Sequence, residues 1–91
     1  MNSRVPVSIE WNGNIGPRRF ESAFTRVVNN YGCLLVSPRD VDVQQVLRLT
    51  NLATRNAVDA VVVWKGGQRP DGWDVGIEFK SENLEFWGLD L

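Results

Sequence analysis

Apolar and polar side chains alternate with a period of two at the start of the chain, which is typical of a strand with one buried face. This first strand covers residues 4–11, and its apolar face consists of Val5, Val7, Ile9 and Trp11. The turn-forming residues 12–17 end it. A second strand is expected over residues 19–28, with one face formed by Phe20, Ser22, Phe24 and Val28.

The middle of the chain predicts two further strands. Residues 29–32 can form a turn, because Asn and Gly tolerate positive φ, and the apolar residues 33–36 form the third strand. Residues 43–56 fit two patterns. In a strand, one face would consist of Val43, Gln45, Leu47 and Leu49. In a helix, one face would consist of Val43, Val46, Leu47, Thr50 and Ala53. We favour a fourth strand that ends at Leu49, followed by a turn at residues 54–56.

The last third of the chain predicts two strands and a short helix. The β-branched residues 57–65 and the alternating residues 73–79 form the strands, and the glycine-rich residues 66–72 form a loop between them. Ser81 is suited to cap a helix, with Glu82 favourably placed in its first turn. The side chains expected to pack inside or onto the sheet are Ala60, Val62, Trp64, Trp73, Val75, Ile77, Phe79, Leu84, Phe86, Trp87 and Leu89.

Six short strands with tight turns and a terminal helix place the chain in the mostly β class, as a small closed antiparallel barrel or a strongly twisted sheet. Closure would remove the exposed strand edges that a short sheet presents. The chain has 91 residues, which is enough for one domain with one core. We therefore expect a single domain over residues 1–91.

The residue types that the chain lacks restrict its chemistry. It contains no histidine and one cysteine, Cys33. These counts exclude Ser–His and Cys–His catalysis and make a structural zinc site untenable. No paired-carboxylate motif is present either, so we expect neither an enzyme nor a resident cofactor. A single cysteine cannot form an internal disulfide, which favours the cytoplasm.

The charge distribution argues against nucleic acids and membranes as partners. The net charge is −1, and the ten basic residues are spread from Arg4 to Lys80, whereas nucleic-acid-binding surfaces usually cluster them. Binding to DNA or RNA is therefore not expected. No apolar run approaches the roughly 20 residues of a transmembrane helix, and residues 1–4 lack the apolar stretch of a signal peptide. We expect no membrane insertion.

Several individual residues have simple structural interpretations. Cys33 is expected to be a small buried apolar side chain. Gly76 lies in mid-strand, where glycine indicates barrel curvature or the close approach of another backbone. Core packing is expected for Trp64, Trp73 and Trp87, and the acidic neighbours of Trp73 and Trp87 argue against base stacking. We interpret the carboxylates of Asp71, Asp74 and Glu78 as part of a solvated surface and not as a metal site.

Four segments of the carboxy-terminal half follow one another in a distinctive order: the valine-rich 60–64, Asp-Gly-Trp at 71–73, Val-Gly-Ile-Glu-Phe at 75–79 and Phe-Trp-Gly-Leu at 86–89. In order and spacing they resemble the second half of a PilZ domain, the bacterial receptor module for cyclic di-GMP. The resemblance extends over residues 4–89 and is strongest after Ala57.

This resemblance implies a six-stranded barrel that binds cyclic di-GMP through two motifs. One is R-x-x-x-R at the first strand, and the other is D/N-x-S-x-x-G on the hairpin between the second and third strands. Arginine can donate two parallel hydrogen bonds to a guanine edge or a phosphate, and glycine lets the backbone turn tightly beside the ligand. The ligand-binding residues that the resemblance implies here are Arg4, Asn29 and Gly32.

The chain departs from both motifs. Arg4 is the only arginine at or before the first strand. Aligning Gly32 with the motif's glycine puts Val27 at the acidic or amide position and Asn29 at the serine position. A second guanidinium could come from a preceding segment or a partner, or from another strand through Arg18, Arg19 or Arg26.

Two functions stay open on these grounds. The first is a cytoplasmic signalling domain that binds cyclic di-GMP and passes its state to a partner protein. The second is a degenerate member of the family that no longer binds nucleotide and acts as a protein–protein interaction module. An oligonucleotide-binding barrel is the outside alternative.

Overall fold

Six antiparallel strands close into a barrel in the computed structural model, which describes residues 1–12, 18–83 and 85–88. In chain order the strands are β1 Pro6–Asn12, β2 Arg18–Asn29, β3 Gly32–Ser37, β4 Val46–Asn51, β5 Ala57–Arg69 and β6 Gly72–Phe79. Around the barrel they follow the order β1-β2-β3-β6-β5-β4, and β4 pairs with β1 to close the ring. The predicted mostly β, six-stranded antiparallel barrel is confirmed.

Alternate positions of every strand fill the barrel interior with aliphatic side chains. The most deeply buried include one from each strand: Val7, Val28, Leu35, Leu49, Val62 and Val75. The inward faces predicted for β1 and β6 are confirmed, because Val5, Ile9, Ile77 and Phe79 are also buried. Closure gives every strand two neighbours, so no strand is left at the edge of the sheet.

The face predicted for β2 is confirmed for Phe20, Ser22 and Phe24, which are all exposed, but it is wrong for Val28, which is buried. Ala23 and Thr25 point inward, whereas Phe20 and Phe24 are 59% and 44% exposed. The register against β3 shifts between Thr25 and Val27, so Arg26 is an extra residue in a β-bulge. One extra residue reverses the alternation of a strand. The prediction joined Phe24 and Val28 on one face across this reversal.

The ambiguous segment 43–56 is a strand and not a helix. β4 begins at Val46, three residues later than the predicted start at Val43, and Leu47 and Leu49 point inward. It ends at Asn51, and the turn that follows begins at Leu52, earlier than predicted.

β5 is longer than predicted and continues to Arg69, so most of the expected loop at 66–72 is the arm of a β5–β6 hairpin. Two register shifts, between Val62 and Trp64 and between Lys65 and Gln68, accommodate the extra residues. The first shift turns Trp64 outward, and this residue is 51% exposed. Core packing is therefore wrong for Trp64, although Trp87 is buried and Trp73 packs against the core.

The carboxy-terminal segment covers one end of the barrel. β2, β4 and β6 run in the same direction, because each alternates with antiparallel neighbours, so their last residues Asn29, Asn51 and Phe79 lie at one end. Phe86 is fully buried there, with its ring centroid 5.1 Å from that of Phe79. The Asn51 side-chain amide donates to the Phe86 carbonyl oxygen at 3.0 Å. The Trp87 indole N–H donates to the Asn29 carbonyl oxygen at 2.8 Å.

This segment is not helical in its described residues, so the helix predicted from Ser81 onward is not confirmed. The burial predicted for Phe86 and Trp87 is confirmed, and Leu84 and Leu89 lie outside the described residues. Nowhere in the described ranges is there a helix of the length and hydrophobicity needed to cross a membrane.

Truncation of the covering ring should destabilise the barrel. We expect Phe86→Ala to lower the free energy of unfolding by about 3–5 kcal/mol, because it removes a fully buried aromatic ring and leaves a cavity. Urea denaturation followed by circular dichroism measures the change. Phe20→Ala is the matched control, and its effect should stay within about 0.5 kcal/mol because the ring is mostly exposed. Equal losses in the two variants would contradict the covering role.

Candidate ligand-binding site

A cavity of about 330 Å³ lies on the outer face of the barrel, where the residues before β1 meet β2, β3 and the β5–β6 hairpin. Three guanidinium side chains line it, from Arg4, Arg26 and Arg69, together with the Phe24 ring and the Asp71 carboxylate. We call it the arginine cavity. All five residues are exposed, so a ligand can reach them directly.

Arg4 is held over an aromatic ring. Its guanidinium carbon lies 3.9 Å from the centroid of the Phe24 ring, which is a cation–π contact. The backbone on both sides of Arg4 is tied to Thr25. The Val5 N–H donates to the Thr25 hydroxyl oxygen at 2.8 Å, and that hydroxyl donates to the Ser3 carbonyl oxygen at 2.7 Å. Thr25 therefore satisfies its own buried hydroxyl and fixes the position of Arg4.

Arg26 and Arg69 share one carboxylate. Arg26 Nη1 lies 3.4 Å from Asp74 Oδ1, and Arg69 Nη1 lies 3.0 Å from Asp74 Oδ2. The Asp74 side chain is 18% exposed, whereas both guanidinium side chains are more than 40% exposed. These two ion pairs use one N–H group of each guanidinium, which has five. The cluster therefore holds two arginines in place and leaves them further N–H donors.

The predicted ligand-binding residues divide between two places. Arg4 lines the arginine cavity, and so does Arg26, one of the arginines considered as a substitute from another strand. Asn29 and Gly32 instead line a smaller depression of about 200 Å³. The structure therefore does not bring Asn29 and Gly32 into one cavity with Arg4. The side chains of the other two substitutes, at positions 18 and 19, lie outside the description.

Asn29 and Gly32 have structural duties in the β2–β3 hairpin. The Asn29 side-chain oxygen accepts a hydrogen bond from the Tyr31 N–H at 2.8 Å, which stabilises the turn. A Cβ atom at Gly32 would collide with the Ile77 carbonyl oxygen, so the pairing of β3 with β6 requires glycine there. Turn geometry and strand pairing therefore account for both residue types.

Sequence reasoning missed Phe24, Arg69 and Asp74 as members of the site. Phe24 was placed on one strand face with Val28, Arg69 in a loop and Asp74 on a solvated surface. The one available signal was at Val27 and Val28, where two adjacent apolar residues break the alternation of β2 at the point of the bulge. Nothing local indicates the ion pairs of Asp74, because their partners lie on β2 and at the far end of β5.

Cys33 is confirmed as a small buried side chain, 7% exposed. Burial raises the pKa of its thiol to about 12, so it is not a reactive nucleophile at neutral pH. Across the described ranges, no three His, Cys, Asp or Glu side chains are grouped so as to hold a metal ion.

Comparisons with protein-family models, with curated proteins and with solved structures gave no match for this chain.

The buried thiol should make the barrel less stable at high pH. In the unfolded chain the thiol ionises near its ordinary pKa of 9.0, whereas in the folded chain it stays protonated up to about 12. Below pH 9 it contributes no pH dependence. Between these pH values, the free energy of unfolding should fall by about 1.4 kcal/mol per pH unit from this group. Urea denaturation of the native chain and of Cys33→Ala, compared at each pH, isolates the contribution, and parallel curves would contradict it.

Removal of the Thr25 hydroxyl should release Arg4. We expect Thr25→Val to lower the free energy of unfolding by about 1–3 kcal/mol, because the Val5 N–H and the Ser3 carbonyl lose their partner. It should also change the NMR shifts of the Phe24 ring, over which Arg4 lies. Thr25→Ser keeps the hydroxyl and should preserve those shifts. Identical Phe24 shifts in the native chain and in Thr25→Val would count against the positioning role.

Proposed function

We propose that the chain is a regulatory domain of the PilZ type that binds cyclic di-GMP at the arginine cavity. The observation that carries the proposal is the convergence of Arg4, Arg26 and Arg69 beside the exposed Phe24 ring. They come from three separate parts of the chain. A surface of this kind suits an anionic ligand with a planar base.

The local charge supports an anionic ligand. Three guanidinium groups stand against the carboxylates of Asp71 and Asp74, so the surface has a net charge of +1 in a chain whose net charge is −1. Guanidinium groups recognise phosphate through paired, charge-assisted hydrogen bonds. The phosphates of a cyclic dinucleotide match this donor arrangement.

The aromatic ring supports a base as the second element of the ligand. Phe24 is 44% exposed, with the Arg4 guanidinium over its ring. Nucleic-acid bases stack both on aromatic rings and on guanidinium planes. A guanine could therefore stack at this pair while the neighbouring arginines bind its phosphate.

The proposal modifies the motif that the PilZ resemblance implies. Arg4 and Arg26 would together take the place of the R-x-x-x-R pair, as both line the arginine cavity. Asn29 and Gly32 would shape the hairpin instead of contacting the nucleotide.

A signalling role follows from the ion pairs of Asp74. They connect Arg26 on β2 with Arg69 on the β5–β6 hairpin. A phosphate that binds these arginines competes with the carboxylate, so occupancy alters the link between the two elements. A partner protein in the cytoplasm that contacts the hairpin would respond to that change.

A protein–protein interaction module is the second candidate, and exposed valines favour it. Val46 on β4 is 52% exposed and pairs with the half-buried Val61 on β5, and Val63 nearby is 42% exposed. Apolar side chains grouped on an outer sheet face are typical of interaction surfaces.

Calorimetric titration of cyclic di-GMP into the chain tests the proposal. We expect saturable binding in the native chain and affinities about ten- to a hundredfold weaker in Arg4→Ala and Arg26→Ala, since each loses charge-assisted hydrogen bonds to the ligand. Arg48→Ala is the matched control, because Arg48 is an exposed arginine paired with Asp59 away from the arginine cavity. Unchanged affinity in both cavity variants would reject the site. The absence of heat from the native chain would favour the interaction module.

A further inference from the structure

We propose that Trp64 is a second stacking surface, which takes the other base of a dinucleotide whose phosphates lie at the Arg26–Asp74–Arg69 cluster. This inference rests on the proposed function, and it extends the binding surface from the arginine cavity across β3 and β6 to β5.

The indole of Trp64 lies on the outside of the barrel over two glycines. Trp64 pairs with Gly76 across β5 and β6, and a Cβ atom at Gly76 would lie 3.2 Å from Trp64 Cβ. A Cβ atom at Gly66 would lie 2.6 Å from Trp64 Cη2. The six-membered ring therefore spans from one glycine to the other, and side chains at these positions would displace it. Close contact with two backbones holds the ring in place.

Exposure of this ring is costly unless something covers it. The residue is 51% exposed. Removal of the apolar surface of a tryptophan from water lowers the free energy. The ring also has few ways to move, because its inner edge contacts Gly66 and Gly76. A large aromatic side chain that is both exposed and held in place suits stacking, since little conformational entropy is lost when a base binds.

The indole borders the arginine cluster. The same Cβ position at Gly66 that contacts the indole lies 3.2 Å from Asp74 Cβ. Asp74 in turn binds Arg26 and Arg69. The stacking surface and the cationic groups are therefore adjacent on one face of the barrel, which is the combination found in proteins that bind nucleotide bases and phosphates together.

Strand register sets the arrangement of the two aromatic surfaces. Phe24 on β2 pairs with Val36 on β3, which pairs with Asp74 on β6. Trp64 lies one strand further, on β5. Around the closed barrel, β6 with Asp74 therefore lies between β3 and β5, next to the strand that carries Trp64. A ligand whose phosphates bind the cluster would have the Arg4–Phe24 pair on one side of it and the Trp64 ring on the other.

NMR titration with cyclic di-GMP tests the inference directly. The chain has four tryptophans, and the indole N–H signal that is missing from Trp64→Leu identifies Trp64. We expect this signal to shift saturably with ligand. Trp64→Leu should bind about 5- to 150-fold more weakly, from the stacking contribution of one base. Trp64→Phe should retain most of the affinity, and Val63→Ala is the control for an exposed apolar neighbour that cannot stack.

The outcomes separate this inference from the proposed function. In one outcome, Arg4→Ala weakens the binding of cyclic di-GMP, whereas the Trp64 signal does not shift and Trp64→Leu binds as tightly as the native chain. The second stacking surface is then wrong, and the ligand site at the arginine cavity is supported. If the Trp64 signal shifts and Trp64→Leu binds weakly although Arg4→Ala has no effect, the stacking surface stands and the assignment of Arg4 is wrong. If no signal moves at any ligand concentration, both are wrong.

Discussion

The β-bulge at Arg26 is the irregularity on which the outer face of the barrel depends. With Val28 inside the barrel, a regular strand would also place Arg26 and Phe24 inside and Thr25 outside. The extra residue reverses this alternation, so Thr25 points into the barrel while Phe24 and Arg26 point out on either side of it. The buried Thr25 hydroxyl would be costly without partners, and it obtains them from the backbone on both sides of Arg4. One insertion in β2 therefore exposes the Phe24 ring, turns Arg26 outward and, through Thr25, fixes the position of Arg4. Bulges commonly redirect side chains at functional sites.

Two further bulges, both in β5, likewise determine which side chains of the β5–β6 hairpin point outward. The shift after Val62 turns Trp64 outward, and the shift between Lys65 and Gln68 continues the arm to Arg69, within 3.0 Å of Asp74. Glycine at position 66 leaves room for the indole. Without the first shift, the alternation that places Ala60 and Val62 inside would have placed the Trp64 ring inside as well. The barrel core supplies the stability, and the irregular positions supply the surface chemistry.

The sequence was informative wherever strands are regular. β1 and β6 alternate without interruption, so their inward faces could be predicted residue by residue, and the six-stranded barrel with them. The face of β2 could be predicted only as far as Phe24, because the bulge beyond it is set by the register of the partner strand and leaves only a weak local trace. The prediction of a carboxy-terminal helix was not confirmed, for a different reason. The apolar pattern around Phe86 indicates burial, which is observed, but burial at a barrel end does not require a helix. At the site, Arg4 was predicted and Arg69 was missed, since its position depends on the long hairpin.

The proposed site uses groups that the fold brings together in place of the R-x-x-x-R motif that the PilZ resemblance implies. R-x-x-x-R brings two guanidinium groups together through the local path of one chain segment, and this chain has only one arginine there. Its first residues instead pair with β2, where the Ser3 N–H donates to the Arg26 carbonyl oxygen at 3.1 Å, and this brings Arg4 and Arg26 to the same cavity. A phosphate or guanine responds to where the donors are and not to their order in the chain. Under the proposed function, the departure from R-x-x-x-R is therefore weak evidence against binding, because the residues before β1 and the strand β2 bring two guanidinium groups to one cavity.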